Sequence, residues 1–296
     1  MRRAFAVILV LLILWGIASL AAKGLNEINF SVTNSVVMIP IHGIITIGNS
    51  ELILSEEQTT SNAVISYLDK ADKDPSVKGV ILEINSGGGN VVASKEIANR
   101  VKAMKKPVVA WIREVGASGA YWVASAADKI VADSLSVTGS IGVRSSYLEF
   151  SGLMEMYGVK YESLTGGKYK DSGSPYKEMT NEERALWQSK IDIIHTEFIK
   201  EVNENRGKNL GEYATGMFYL GKEAEKIGMI DYLGSKDKVV EVIKELTGVK
   251  EVNIVVYKQK TSVLNILERF TSKFGDSIGS AIGDSFKTEE KLKMEA

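Results

Sequence analysis

Val80-Ile81-Leu82-Glu83-Ile84 runs directly into Asn85-Ser86-Gly87-Gly88-Gly89-Asn90, and the pattern changes at Val91. The first five residues read as a short strand of a buried parallel sheet. From Val91 to Met104 the pattern is helical, with Ile97, Val101 and Met104 on one face. Pro107 ends that helix and opens a second strand, Val108 to Ile112. The same alternation extends outward. Ser35 to Ile45 reads as a strand, Ala63 to Ala71 as a helix, Ser118 to Ala127 as an alanine-rich helix and Ile130 to Ala132 as another short strand. Alternating strands and helices predict an α/β domain with a largely parallel sheet.

Further along, Thr180-Asn181-Glu182-Glu183 has the form of a capping box. It opens a long helix with a stripe of Trp187, Ile191, Ile194, Phe198 and Val202. Lys222 to Ile227 and Lys236 to Leu246 read as helices, and Glu251 to Tyr257 as a last strand. No internal repeat is evident. From Ser262 an apolar stripe (Leu264, Leu267, Phe270, Phe274, Ile278, Ile282) is flanked by Gly275, Gly279 and Gly283, four apart. Small residues at that spacing let two helices approach closely. The expected arrangement is an amphipathic helix lying on its own domain or on a neighbour. The charged stretch Lys287 to Ala296 is expected to be unstructured.

The totals exclude several classes of function. The 296 residues can build a real core. A formal net charge of −1 gives no basic field for nucleic acid. With no cysteine there are no disulfides, no thiolate metal sites and no cysteine nucleophile. Two distant histidines, His42 and His195, argue against a histidine-rich zinc site. Neither a metal nor another cofactor is expected.

At the N-terminus, Met1-Arg2-Arg3 precedes an uncharged run from Ala4 to Ala22. About 19 helical residues at roughly 1.5 Å each reach about 28 Å, close to the ~30 Å hydrocarbon layer. The arginines before the run place the N-terminus in the cytoplasm and the body outside it. Ser19-Leu20-Ala21 also has the form of a signal cleavage site, but the run is longer than a signal core of ~7–15 residues. An uncleaved single-pass anchor is therefore expected. The expected layout is an anchor (1–23), a juxtamembrane linker (24–34), the α/β domain (35–260) and the amphipathic helix with its charged tail (261–296).

Chemistry points to Gly116-Ala117-Ser118-Gly119-Ala120-Tyr121-Trp122. Ser118 falls at a strand-to-helix turn, with small residues clearing space around its hydroxyl. The bland alternative is that Ser118 merely caps the helix. As a nucleophile it needs a base. With cysteine absent and histidine scarce, lysine is weighed first. Spacing alone does not choose between Lys168, Lys170 and Lys177. A lysine becomes a usable base only when burial lowers its pKa. The N–H of Gly119, at the helix N-terminus, and the glycine turn near Gly88 could together hold an oxyanion. Without a following Gly-Lys-Ser/Thr, that turn is not a P-loop.

Taken together, these pieces resemble signal peptide peptidase A in its short, membrane-anchored form, a serine protease family of the Clp/crotonase superfamily. The resemblance spans roughly Val36 to Leu246. It rests on Ile39-Pro40-Ile41-His42-Gly43, Asn85-Ser86-Gly87-Gly88-Gly89, Ala117-Ser118-Gly119-Ala120-Tyr121-Trp122, Leu135-Ser136-Val137-Thr138-Gly139-Ser140-Ile141-Gly142-Val143, Lys170-Asp171-Ser172-Gly173-Ser174-Pro175 and Gly228-Met229-Ile230-Asp231-Tyr232-Leu233-Gly234. It implies a spiral of ββα units assembled into homo-oligomeric rings, with serine and lysine meeting across a protomer boundary. It implies Ser118 as nucleophile, Lys170 as general base, Ser140 as the residue orienting the lysine, and Gly88, Gly89 and Gly119 as the oxyanion region. The implied substrates are remnant signal peptides and other unstructured apolar peptides at the cell membrane. Two positions depart from the family pattern: Gly87 stands where the family has proline, and Ala120 where it has a second glycine. The proline's absence predicts a looser oxyanion loop. His42, placed at a strand end, and His195, partly exposed on the long helix, lack an acid partner by sequence, which disfavours a Ser-His-Asp triad. Two other classes compete: a non-catalytic scaffold on the same fold and an acyl-CoA enzyme. An external location argues against the second.

Overall fold

A computed structural model of the protein describes residues 34–48 and 58–257. The expected anchor, nearly all of the linker and the helix and tail from 261 onward lie outside the described residues. Among the described residues, no helix is long and apolar enough to cross a membrane.

In chain order the elements are β1 (Ser35–Thr46), β2 (Gln58–Thr60), α1 (Ser61–Lys73), β3 (Val77–Gly89), α2 (Val91–Lys102), β4 (Val108–Ala117), α3 (Gly119–Ser125), β5 (Lys129–Ala132) and β6 (Val137–Gly139). There follow α4 (Ser151–Met156), α5 (Asn181–Arg206), β7 (Phe218–Leu220), α6 (Gly221–Ile227), β8 (Tyr232–Leu233), α7 (Lys236–Thr247) and β9 (Asn253–Val256). The strands form one nine-stranded sheet with a spine in the order β2-β1-β3-β4-β5-β8. β9 lies beside the first half of β1, and β6 beside the last residues of β4. Only β6 with β7 is antiparallel, so the sheet is mixed. This is the expected α/β class with helices on both faces.

Both faces are buried, which is why the strands read as continuous apolar runs. Val37, Ile39 and Ile41 point to one face, packing with Leu68 of α1, Ile97 of α2 and Trp122 of α3. Val36 and Met38 point to the other, with Val109, Trp111, Val131 and the Val239, Val242 and Ile243 stripe of α7. The short α3 is buried along its whole length. Its Tyr121 hydroxyl donates to the Met229 carbonyl at 2.8 Å, and its Trp122 stacks on Phe198 of α5 at 4.3 Å between centroids.

Four expectations change. The glycine turn after Ile84 is strand: Gly88 and Gly89 pair with Ile44 and Ile45, because glycine lets the β1 backbone come close enough to bond. Any Cβ on Gly89 would overlap the Ile45 carbonyl oxygen. β4 likewise continues past Ile112 to Ala117, where β6 takes over pairing. His42 lies within β1, its backbone N–H and carbonyl both bonded to the Thr59 hydroxyl at 2.8 and 2.7 Å. Finally, only part of the α5 stripe is core. Phe198 and Val202 are buried, whereas Trp187 is 38% exposed. The N-terminal half of α5 meets mainly residues 141–180, a largely irregular and exposed arm: Trp187 Nε1 donates to Ser172 Oγ at 2.9 Å.

Candidate active site

Parallel strands end together, and the C-terminal ends of β3, β4 and β6 assemble the site. Ser118 follows β4 with φ 52° and ψ −127°, backbone that a side chain normally avoids. Its N–H donates to the Gly139 carbonyl at 2.8 Å, which fixes the turn against β6. Its side chain makes no capping bond, so the helix-cap reading fails. A serine held in strained backbone with its hydroxyl uncommitted is the form a presented nucleophile takes.

Ser140 follows β6 in the same way, with φ 50°. Its N–H donates to the Met217 carbonyl at 2.9 Å, and its hydroxyl to the Gly216 carbonyl at 3.2 Å. Because Ala117 pairs with Gly139, Ser118 and Ser140 leave adjacent strands at the same level.

The glycines close the other side. Gly88 has φ 99°, and a Cβ there would lie 3.0 Å from Ser118 Cβ and 2.7 Å from Gly119 N. A Cβ on Gly119 would overlap Ser94 Oγ and lie 3.4 Å from Gly89 N. All three glycines therefore converge beside Ser118. Gly88 is the least available donor of the three, since its N–H already donates to Ser86 Oγ at 3.0 Å. The helix-end field expected at Gly119 is also small, because α3 has only seven residues. What remains is the direct N–H of Gly119 with that of Gly89.

Ser86, absent from the sequence expectations, organises this end of β3. It is buried, accepts the Gly88 N–H and donates to the Gly43 carbonyl at 2.6 Å. A serine accepting from two residues on is a known turn former, and its place before three glycines was the available signal. The clamp also bears on Gly87. A Cβ there would meet nothing within 4 Å. The family's proline is therefore not replaced by glycine for lack of room.

Lys170 is exposed, in a turn of the arm where its N–H donates to the Gly167 carbonyl at 3.1 Å. Within one protomer the structure does not join its amine to Ser118 or Ser140 by a hydrogen bond. The competing lysines are engaged. Lys168 pairs with Glu182 and Lys177 with Glu183, both at 2.8 Å. Those hydrogen bonds raise both lysine pKa values, the wrong direction for a base.

His195 faces the Ile141 carbonyl at 3.1 Å. His42 does have an acidic neighbour, Glu83 at 3.9 Å, which the sequence did not reveal. That pair belongs elsewhere: His42 lines a cavity of about 380 Å³ with Asn85, Trp111, Arg113 and Asp133, without Ser118 or Ser140. Among the described residues, no group of three or more His, Asp or Glu side chains is placed to hold a metal ion.

Known peptidases resemble the chain in sequence. The model of peptidase family S49 matches residues 100–250, and that of Clp protease residues 43–136. The chain is 37% identical over 245 residues to "Putative protease MJ0651" of Methanocaldococcus jannaschii, covering 81% of this chain and 78% of the relative. It is 31% identical over 233 residues to "Putative signal peptide peptidase SppA" of Enterococcus faecium, covering 77% and 68%. Protease 4 of Haemophilus influenzae is 28% identical, with 89% of this chain but only 42% of that longer protein covered. Among solved structures, a lysine-to-alanine variant of the 1510-N membrane-bound stomatin-specific protease, in complex with a substrate peptide, shares the fold. Its TM-score is 0.51 at 15% identity, covering 79% of this chain and 96% of that one. The chain belongs to peptidase family S49 and is a serine peptidase of the signal peptide peptidase A type.

Proposed function

We propose that the chain is a membrane-anchored endopeptidase in which Ser118 is the nucleophile and Lys170 the general base. The observation that carries this reading is the strained, uncapped Ser118 walled by Gly88 and Gly119. Neutral Lys170 takes the Ser118 hydroxyl proton as Oγ attacks the peptide carbonyl. The N–H groups of Gly89 and Gly119, with Gly88 shaping the loop, hold the oxyanion. The ammonium then protonates the leaving amine, and water activated by the same lysine releases the acyl group. Ser140 orients the amine. The reaction requires no cofactor.

A lysine serves as a base only when desolvated. Lys170 lies exposed in one protomer, so this reading needs a second protomer to cover it. A homo-oligomeric ring of ββα spirals, with sites completed at its boundaries, meets that need. The apolar segment 4–22 anchors each chain in the cell membrane with the catalytic domain outside the cytoplasm. There the substrates are unstructured apolar peptides such as signal-peptide remnants.

Ser118→Ala and Lys170→Ala should each lower cleavage of a fluorogenic peptide by about 10⁴-fold or more, with assembly intact by light scattering. Normal turnover in either variant would discard the dyad.

A further inference from the structure

The inner face of α2 carries Ala93, Ser94, Ile97, Ala98 and Val101, and Ser94 is its one polar member. Ser94 is fully buried, and its hydroxyl has no hydrogen-bond partner. A helical serine commonly returns its hydroxyl to the carbonyl four residues earlier. Here the Asn90 carbonyl receives the Ser94 N–H at 3.0 Å, and the hydroxyl makes no bond to it. Alanine would suit the same apolar stripe without leaving a desolvated hydroxyl, so the fold gains nothing from the oxygen.

Its position is specific. The space where a Gly119 Cβ would stand is filled by Ser94 Oγ, with Ser94 Cβ 3.0 Å and Gly89 N 3.4 Å from that point. The hydroxyl therefore packs against Gly119, whose N–H is one of the two assigned to the oxyanion, with Gly89 N, the other, close by. We propose that Ser94 is a positioning residue of the oxyanion site, its hydroxyl setting the spacing of Gly89 and Gly119 and turning its dipole toward the charge that develops there. This rests on Ser118 being the nucleophile. With no ground-state partner, the hydroxyl is free to reorient as charge appears, and in a dry site that dipole counts for more than it would in water. The interaction strengthens from ground state to transition state, so it acts on kcat rather than on substrate binding.

The test is Ser94→Ala in the full, assembled chain. kcat should fall about 10- to 100-fold while KM stays within about twofold. Ser118 Oγ adds to the carbonyl carbon of a peptide aldehyde matching the substrate, its proton passing to Lys170 as the C=O π pair moves onto the oxygen that becomes the bound oxyanion. The aldehyde's inhibition constant should rise by the same factor as kcat falls. The melting temperature should hold or rise by a few degrees, about what losing an unpaired buried hydroxyl gives. An unchanged kcat would overturn the proposal. So would a lost kcat accompanied by a lower melting temperature or poor folding, which would mark Ser94 as packing. Ser118→Ala run alongside separates the two claims. If it stays active, the nucleophile assignment falls. If it is inert while Ser94→Ala works normally, only the role of Ser94 falls.

Discussion

Ser118 occupies backbone that glycine adopts without strain. Ser118→Gly should therefore raise stability by about 1 kcal/mol, measured by urea unfolding, while removing the proposed nucleophile. A lower stability would show that the Ser118 side chain contributes to packing. Gly87 makes the opposite comparison. Its Cβ site is open and its φ is not in the left-handed region, so Gly87→Ala should stabilise by about 0.4–1 kcal/mol through the unfolded chain. Ser86 clamps the loop on both sides of that residue, so turnover should change little. A large loss of kcat would show that mobility at Gly87 matters. The place of Ser118 at a strand-to-helix turn was legible in its small neighbours. Its positive φ was not, since that depends on β6 catching its N–H. Ser86 showed only half of its role in the local glycine run, since its Gly43 acceptor lies 43 positions away, and Ser94 showed none, since Gly119 beside it is distant in sequence.

At the scale of elements, α5 is a strut with two environments. Its C-terminal half is bound into the body: Trp122 Nε1 donates to Glu201 at 2.7 Å, and Lys95 pairs with both Glu197 and Glu201 at 2.8 Å. Its N-terminal half opens with the expected capping box, in which Thr180 Oγ1 accepts the Glu183 N–H at 3.2 Å and Glu183 accepts the Thr180 N–H at 2.9 Å. Lys177, then the Thr180 N–H, hold the Glu183 carboxyl below the usual range. A depressed carboxylate contributes stability above its unfolded pKa of about 4.3, and loses it as pH falls through the folded value. Glu183→Gln should therefore flatten the acid limb of the unfolding curve below about pH 4.5 and change little at pH 7 beyond a constant offset. An acid limb identical to wild type would mean that the pair contributes nothing. This box was legible because it is local, within four residues. β2, β6, β7 and β8 were not, because strands of two or three residues are too short to show a period. Exposure of Trp187 was equally hidden, since a helical stripe does not say what it packs against.

On the scale of the molecule, the arm at 141–180 is the conspicuous part. Leu148 is 73% exposed and Leu164 99%, beside further exposed apolar residues on α4 and α5. Apolar surface of that extent marks a place where something binds. On the proposed reading it is where protomers meet, and two inactive variants should then rescue each other. Ser118→Ala mixed with Lys170→Ala before assembly should recover about a quarter of wild-type sites, since a boundary works when one side brings the serine and the other the lysine. Absence of any recovery in verified mixed assemblies would place both groups in one chain. The α/β class was legible in the alternation of patterns, and the turn at Ser118 in its local motif. The proposed completion of the site by a neighbour is not legible from spacing, because 52 positions of separation (170 − 118) says nothing of which copy of the chain is counted.

On the proposed reading the bare arm would also set a dose-response for the enzyme. Where the base is dry only against a neighbour, diluted chains stay silent, and output climbs more steeply than copy number until every boundary is filled. A cell holding few copies would carry a dormant stock of the protein, and modest changes in synthesis would switch peptide clearance on or off.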